Sequence, residues 1–252
     1  MDIATVLGVA VALFGVVGGL LWDGGRIAEL VQPSAALIVV GGTLGAVLVS
    51  FPLRSVVSAM TSILRLFSYH RSSPETVIDE VLSYANRARR QGIFSLERPL
   101  QHASDPLLRQ GLALVVDGQD PTVVRNVLDL KIQCFEERLE NTPRVLEAAG
   151  GYAPTIGILG AVIGLIHVMQ RLDGLDGVGA GIATAFVATL YGVGFANLLL
   201  LPLASKVRAR HREEIVCKEM IVEGVLSIQE KLAPRLIEDK LRSFRELEDA
   251  AA

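Results

Sequence analysis

Residues 148–170 read AAGGYAPTIGILGAVIGLIHVMQ, a stretch with no Asp, Glu, Lys or Arg and with glycine at positions 150, 151, 157, 160 and 164. A helix needs about 20 apolar residues to cross roughly 30 Å of hydrocarbon, so the absence of charge over this length predicts a membrane span. Three more charge-free stretches of similar length qualify: residues 3–22 (IATVLGVAVALFGVVGGLLW), 34–51 (SAALIVVGGTLGAVLVSF) and 180–204 (AGIATAFVATLYGVGFANLLLLPLA). Charged residues make up 20% of the chain, yet all of them fall outside these four stretches. With 51% hydrophobic residues and a mean hydropathy of +0.45, the composition excludes an ordinary soluble protein. The predicted fold class is all-α, a polytopic membrane protein with four transmembrane helices and a helical cytoplasmic domain. The first stretch has neither a basic region before it nor a small-residue cleavage site followed by an exported domain, so it is expected to be a mature span rather than a signal peptide.

Basic residues near span ends resist translocation, which orients the chain. The loop 23–33 holds only Arg26 and the loop 171–179 only Arg171, whereas residues 52–147 hold 12 Lys+Arg and residues 205–252 hold 10. The two long segments are therefore expected in the cytoplasm, with both termini. The expected organisation is 3–51 for spans one and two, 52–147 for a helical cytoplasmic domain, 148–204 for spans three and four, and 205–252 for a cytoplasmic helical tail. A net charge of −3 leaves no basic excess for nucleic acid. Cys134 and Cys217 show no paired spacing and read as free thiols.

Within the cytoplasmic segments, Ser73-Pro74, Asp105-Pro106 and Asp120-Pro121 each place a capping side chain before a proline at the first helical position. Val124, Leu128, Ile132, Phe135 and Leu139 then recur at helical spacing and form one buried stripe. In the tail, Ile221, Val225, Ile228 and Leu232 do the same, which predicts a helix packed on the first cytoplasmic block. No strand signal competes.

Helices in lipid associate through small residues that let backbones approach. Ala188, Gly192 and Ala196 form such a face on span four, Gly157, Gly160, Ala161 and Gly164 on span three, and Gly41 and Gly45 on span two. Packing within the subunit is the plain reading, and contacts between subunits are the sharper one. Pro154 removes a backbone hydrogen bond early in span three and serves either as a packing kink or as a hinge. Pro202, at the cytoplasmic end of span four, reads first as a helix terminator. Thr155 and Thr189 bring hydroxyls into the spans. Such hydroxyls ordinarily bond back to their own helix, with an ion path as the alternative.

Ion relays through a membrane need an ionisable group at depth, and such groups are costly enough to be held for function. No Asp, Glu, Lys or Arg lies in any of the four stretches, and His167 sits near the outer end of span three, where interfacial packing explains it. If ions cross an assembly containing this chain, another polypeptide supplies the carboxylate. There is no phosphate-binding glycine loop and no metal-ligand spacing among His70, His102, His167 and His211, so no enzyme activity, resident cofactor or metal is expected.

The segments YAPTIGILGAVIGLIHVM (152–169), GIATAFVATLYGVGFANLLLLPLA (181–204), the amino-terminal MDIATVLG and the run ARRQGIFSLE (88–97) together make the chain resemble the bacterial flagellar motor stator A subunit, MotA/PomA, within the MotA/TolQ/ExbB proton channel superfamily. The resemblance covers essentially the whole chain. It implies a bacterial inner-membrane protein that forms a homopentameric ring around B-type subunits. Those partners carry a membrane aspartate and a peptidoglycan-binding domain, and ion flow drives a push on the rotor switch protein FliG. By the same resemblance the rotor contact falls on Arg89, with Arg90 as its neighbour, and on Glu97, while the ion path and coupling fall on Pro154, Ala161, Thr189 and Pro202; Thr155 joins that set as a further hydroxyl within the spans. Sodium-driven members tend to carry a threonine where this chain has Ala161, which favours a translocated proton and leaves sodium open. Two other readings remain open: an ExbB/TolQ-like energiser of outer-membrane processes, whose subunits usually have three spans, and a structural scaffold without ion coupling.

Overall fold

The computed structural model describes residues 3–66, 74–170 and 175–249, and every element among them is helical. The first apolar stretch forms α1 (Ile3–Trp22), followed by the short α2 (Ile27–Leu30). The second builds α3 (Pro33–Ala36), a π-helical turn (Leu37–Gly41) and α4 (Gly42–Ser50), after which α5 (Leu53–Leu66) continues. Next come α6 (Pro74–Gln91), two 3₁₀ turns (Ile93–Leu96 and Pro99–His102) and α7 (Pro106–Val116). The 49-residue α8 (Pro121–Met169) contains span three, and α9 (Leu175–Phe195) leads through a second π turn (Ala196–Leu200) into α10 (Leu201–Gln229). The chain ends in α11 (Pro234–Asp249).

Three helical stretches, Ile27–Ser50, part of Pro121–Met169 and part of Gly181–Gln229, are long and apolar enough to cross a membrane. α1 adds a 20-residue helix without a charged side chain. The all-α, polytopic membrane architecture expected from the charge-free stretches is what the chain adopts. Two of the three predicted capping positions lie among the described residues, and both act as expected. Asp105 accepts from the Leu107 N–H at 2.8 Å and Asp120 from the Thr122 N–H at 2.9 Å, each just ahead of a helix-initiating proline. Ser73 and Arg171 lie outside the described residues.

The chain divides into two compact units, Met1–Tyr69 with Asn141–Arg208 and His70–Glu140 with Ala209–Ala252. The second unit has a single large apolar core. Val124 and Leu128 of the predicted stripe are fully buried in it, together with Ile221, Val225 and Ile228 of the tail. The tail thus packs on the first cytoplasmic block because both helices present an apolar face at the same spacing. Two glycines bring the tail helix α10 close to α7 and to α6. A Cβ on Gly111 would lie 2.9 Å from Val225, and one on Gly224 would lie 2.6 Å from Val81. Arg125 and Lys240 converge on Glu223 at the edge of the core, holding its carboxyl below the ordinary range against the opposing effect of burial.

In the first unit, alanines make up half of the main core. Ala149, Ala153, Ala196 and Ala204 share a core with Val47, Val145, Leu146, Leu200 and Val207. α5 joins this unit through Ala59, which is buried against the same cluster.

Pro202 does not end span four. The helix runs on from the π turn into α10, and the Leu201 N–H donates to the Ala196 carbonyl, five residues back. Because the wider turn comes immediately before the proline, the chain accommodates the missing N–H without leaving the helix. No composition signal marked either π turn. The first ends beside Gly42, where a Cβ would come within 2.8 Å of Ile156, so span two lies close against span three at this glycine.

Candidate functional site

The glycine and alanine stripes of spans three and four form one continuous seam. A Cβ on Gly157 would stand 2.9 Å from the Ala188 carbonyl and 3.3 Å from the Thr189 Cα, and one on Gly192 would stand 2.4 Å from the Ala153 carbonyl. Further along, Gly160 faces Ala188, Gly164 faces Ala185, and Gly181 faces Val168. At the other end Gly150 meets Leu201, the residue before Pro202. Packing within the subunit therefore accounts for these two stripes. The stripe on span two behaves differently, since Gly41 and Gly45 are exposed and a Cβ added at either would have nothing within 4 Å.

Pro154, one turn from Gly150, lies inside the uninterrupted α8 and leaves the Gly150 carbonyl without its usual donor. The proline-containing turn of span three and the π turn of span four are thus neighbours across the seam, joined by the Gly150–Leu201 contact. Thr155 is exposed and donates to the Tyr152 carbonyl at 2.8 Å. Thr189 is half-buried in the seam and donates to the Ala185 carbonyl at 3.4 Å. Each hydroxyl bonds back to its own helix, as the commoner expectation had it, and each keeps oxygen lone pairs unused. Ala161 is half-buried, while Ile158, Leu159, Val162, Ile163 and Ile166 of the same span expose apolar surface.

Three polar features of the spans carry no motif and went unread in the sequence. Asn197 sits exposed in the π turn and donates its amide to the Val193 carbonyl at 3.0 Å. Thr43 is buried in span two, and its hydroxyl has no partner among the described residues. Tyr191 donates to the Leu30 carbonyl and accepts from the Gln32 N–H at 3.3 Å, tying span four to the chain between spans one and two. Their signal is a polar amide or hydroxyl inside an otherwise apolar, charge-free stretch.

In the second unit, Arg89 and Arg90 end α6, where cations favour the negative end of the helix dipole. Gly92, at φ +84°, then turns the chain in a conformation open to glycine, and the first 3₁₀ turn follows. Leu96 is fully buried and anchors that turn, leaving Glu97 exposed directly after it. Tyr84 donates to the Pro99 carbonyl at 3.2 Å, and Glu80 accepts from both the N–H and the hydroxyl of Ser104, which fixes the second turn against α6. Burial, reinforced by the Glu80 carboxylate, pushes the Tyr84 phenol up, so it remains a donor. Arg89, Arg90 and Glu97 are all exposed, and among the described residues none of the three side chains has an ion-pair or hydrogen-bond partner. The helix–turn corner therefore carries three exposed charges without an internal partner among the described residues.

Similarity to known proteins settles the family. Residues 100–220 match the MotA/TolQ/ExbB proton channel family, and residues 6–92 match the motility protein A N-terminal family. Over 250 residues the chain is 34% identical to motility protein A of Bacillus subtilis (strain 168), covering 99% of this chain and 93% of that one. The chain belongs to the MotA/PomA family. Chemotaxis protein PomA of Vibrio alginolyticus is 32% identical over 244 residues, spanning 97% of this chain and 95% of that one. Among solved structures, MotAB of C. jejuni aligns with a TM-score of 0.91 at 27% identity, covering 97% of this chain and 96% of that one. The flagellar MotAB stator complex of Bacillus subtilis aligns with a TM-score of 0.84 at 33% identity, over 93% and 92% of the two chains. As a MotA/PomA chain with apolar helices of spanning length, the protein is a multi-pass subunit of the inner membrane.

Proposed function

We propose that this chain is the A subunit of an ion-driven flagellar stator, in which it assembles with a B-type partner to form a channel and converts ion flow into torque. The observation that carries the reading is the near full-length likeness to motility protein A and PomA chains, including those of MotAB stator complexes. The match to the motility protein A N-terminal family over residues 6–92 favours the motor over an ExbB/TolQ-like energiser. The charge-free spans complete the logic. Without a carboxylate at depth, this chain cannot take up an ion alone, which fits the membrane aspartate that the family resemblance implies for the partner.

In this reading four spans cross the membrane, both termini face the cytoplasm, and five copies ring the partner's helices. The exposed apolar face of span three borders the partner helix. Pro154, Thr155, Ala161, Thr189 and Pro202 lie on the spans that the passing ion reshapes, and Arg89, Arg90 and Glu97 engage FliG. Exposed ion pairs are worth about 0–1 kcal/mol each, weak enough to be made and released at every step. One elementary charge falling through 100 mV supplies about 2.3 kcal/mol. The test is ion flux in proteoliposomes. The chain alone should conduct no ions, and co-reconstitution with its B partner should open a flux that asparagine in place of the partner's aspartate abolishes. Selective flux through the purified chain by itself would overturn the reading.

A further inference from the structure

The end of α10 shares a bonding pattern with two other helix ends. The Lys231 N–H donates to the Ile228 carbonyl at 3.0 Å and the Leu232 N–H to the Ser227 carbonyl at 3.1 Å, the paired closure that drives one residue into the left-handed region. After α1 the same pair runs from Gly24 to Leu21 and from Gly25 to Leu20. After α7 it runs from Gly118 to Val115 and from Gln119 to Leu114. At both of those ends the left-handed residue is glycine, with φ +80° at Gly24 and +71° at Gly118. At the end of α10 it is Lys231, with φ +56°, the single non-glycine residue with positive φ among the described residues. A side chain makes that conformation unfavourable, so glycine would suit the fold better. Lysine at this position points to a use for its side chain that folding does not supply.

Lys231 lines a groove of about 440 Å³ whose apolar walls include Ala88, Ile93, Leu232 and Ile237, and whose lining also contains Arg89. Among the described residues, Lys231 and Arg89 are the two charged residues of that lining, both are cations, and no carboxylate shares it. Phe94 also lines the groove, and at 78% exposed it carries a large apolar ring into solvent shortly after Gly92. An apolar groove with two cations and an exposed aromatic ring suits an anionic, amphipathic occupant.

We propose that this groove receives a bulky apolar side chain from an acidic helical segment of the rotor partner, with Arg89 and Lys231 pairing to the carboxylates beside it. The inference rests on the rotor contact proposed above and adds an apolar anchor and a second cation to it. Exposed ion pairs alone hold little, whereas one desolvated apolar anchor ringed by polar contacts concentrates binding in a small area.

The experiment titrates the purified stator complex, full-length chain with its B partner, with purified FliG. Lys231→Gly removes the cation and relieves the backbone, so the variant should melt no lower than wild type yet bind about tenfold more weakly. Ala88→Leu fills the groove with both cations in place, and should weaken binding to a similar extent without changing its dependence on salt. Arg89→Glu tests the contact itself. If Arg89→Glu weakens binding while either Lys231→Gly or Ala88→Leu binds as wild type does, the groove proposal falls and the rotor contact stands. If the wild-type complex does not bind FliG, both fall.

Discussion

Glycine has two distinct uses in the membrane unit, and a single added methyl group separates them. Gly157 sits where a Cβ would meet the Ala188 carbonyl at 2.9 Å, a backbone atom that cannot swing aside. Gly45, on span two, has open space around it. Overpacking a close helix contact costs about 1–3 kcal/mol, so Gly157→Val should lower the unfolding midpoint of the purified chain in detergent, whereas Gly45→Ala should stay within about 0.5 kcal/mol of wild type. If Gly45→Ala leaves the single chain unaffected but breaks up the oligomer, span two faces a neighbouring subunit. Equal destabilisation by both substitutions would contradict the seam described above. On the second unit, Leu96 and Glu97 show a similar division between neighbours. The leucine is buried and holds the turn, which leaves the glutamate exposed.

At the scale of whole elements, spans three and four are both irregular at the same level. Pro154 removes a donor from α8, and the π turn Ala196–Leu200 widens span four just ahead of Pro202. Gly150 and Leu201 connect the two irregular turns across the seam. Helices interrupted in this way bend at lower cost than regular ones. In Pro154→Ala the restored N–H closes the bond to the Gly150 carbonyl and stiffens that turn. The variant should assemble in the membrane in normal amount, with equal or higher thermal stability, and deliver torque well below wild type under high load in a tethered-cell or bead assay. Wild-type torque at high load would return Pro154 to a packing role.

For the whole molecule, the open question is which ion drives it. A proton is taken directly by the partner's carboxylate. Sodium must be given oxygen ligands in place of its hydration shell, because an uncompensated ion is costly in a low-dielectric path. Ala161 offers only a methyl group, whereas the Thr155 and Thr189 hydroxyls donate to backbone carbonyls and keep lone pairs able to ligate a cation, a partial replacement for sodium's shell that leaves sodium open. Protons are the expected ion. Rotation should persist when sodium is removed at constant membrane potential and should slow as the proton-motive force falls. Rotation that stops without sodium and resumes on its return would reverse the choice.

The membrane character of this chain and its helical class follow from sequence alone, because the cost of burying charge in hydrocarbon is so high that charge-free stretches mark the spans directly. The starts of α7 and α8 follow as well, since Asp105-Pro106 and Asp120-Pro121 act through atoms within three residues of each other. The exposed charges at Arg89, Arg90 and Glu97 were visible as residues, although a charged side chain looks the same in sequence whether or not it has an internal partner. Only the tertiary structure decided which small-residue stripe is used inside the subunit. Gly157 and Gly45 are identical in sequence terms, and the helix that lies opposite each one is set by packing between segments distant in the chain. The π turns and the left-handed Lys231 belong to the same category. Each is a local departure from ideal geometry that no residue pattern marks, so Pro202 read as a terminator while the helix continues through it.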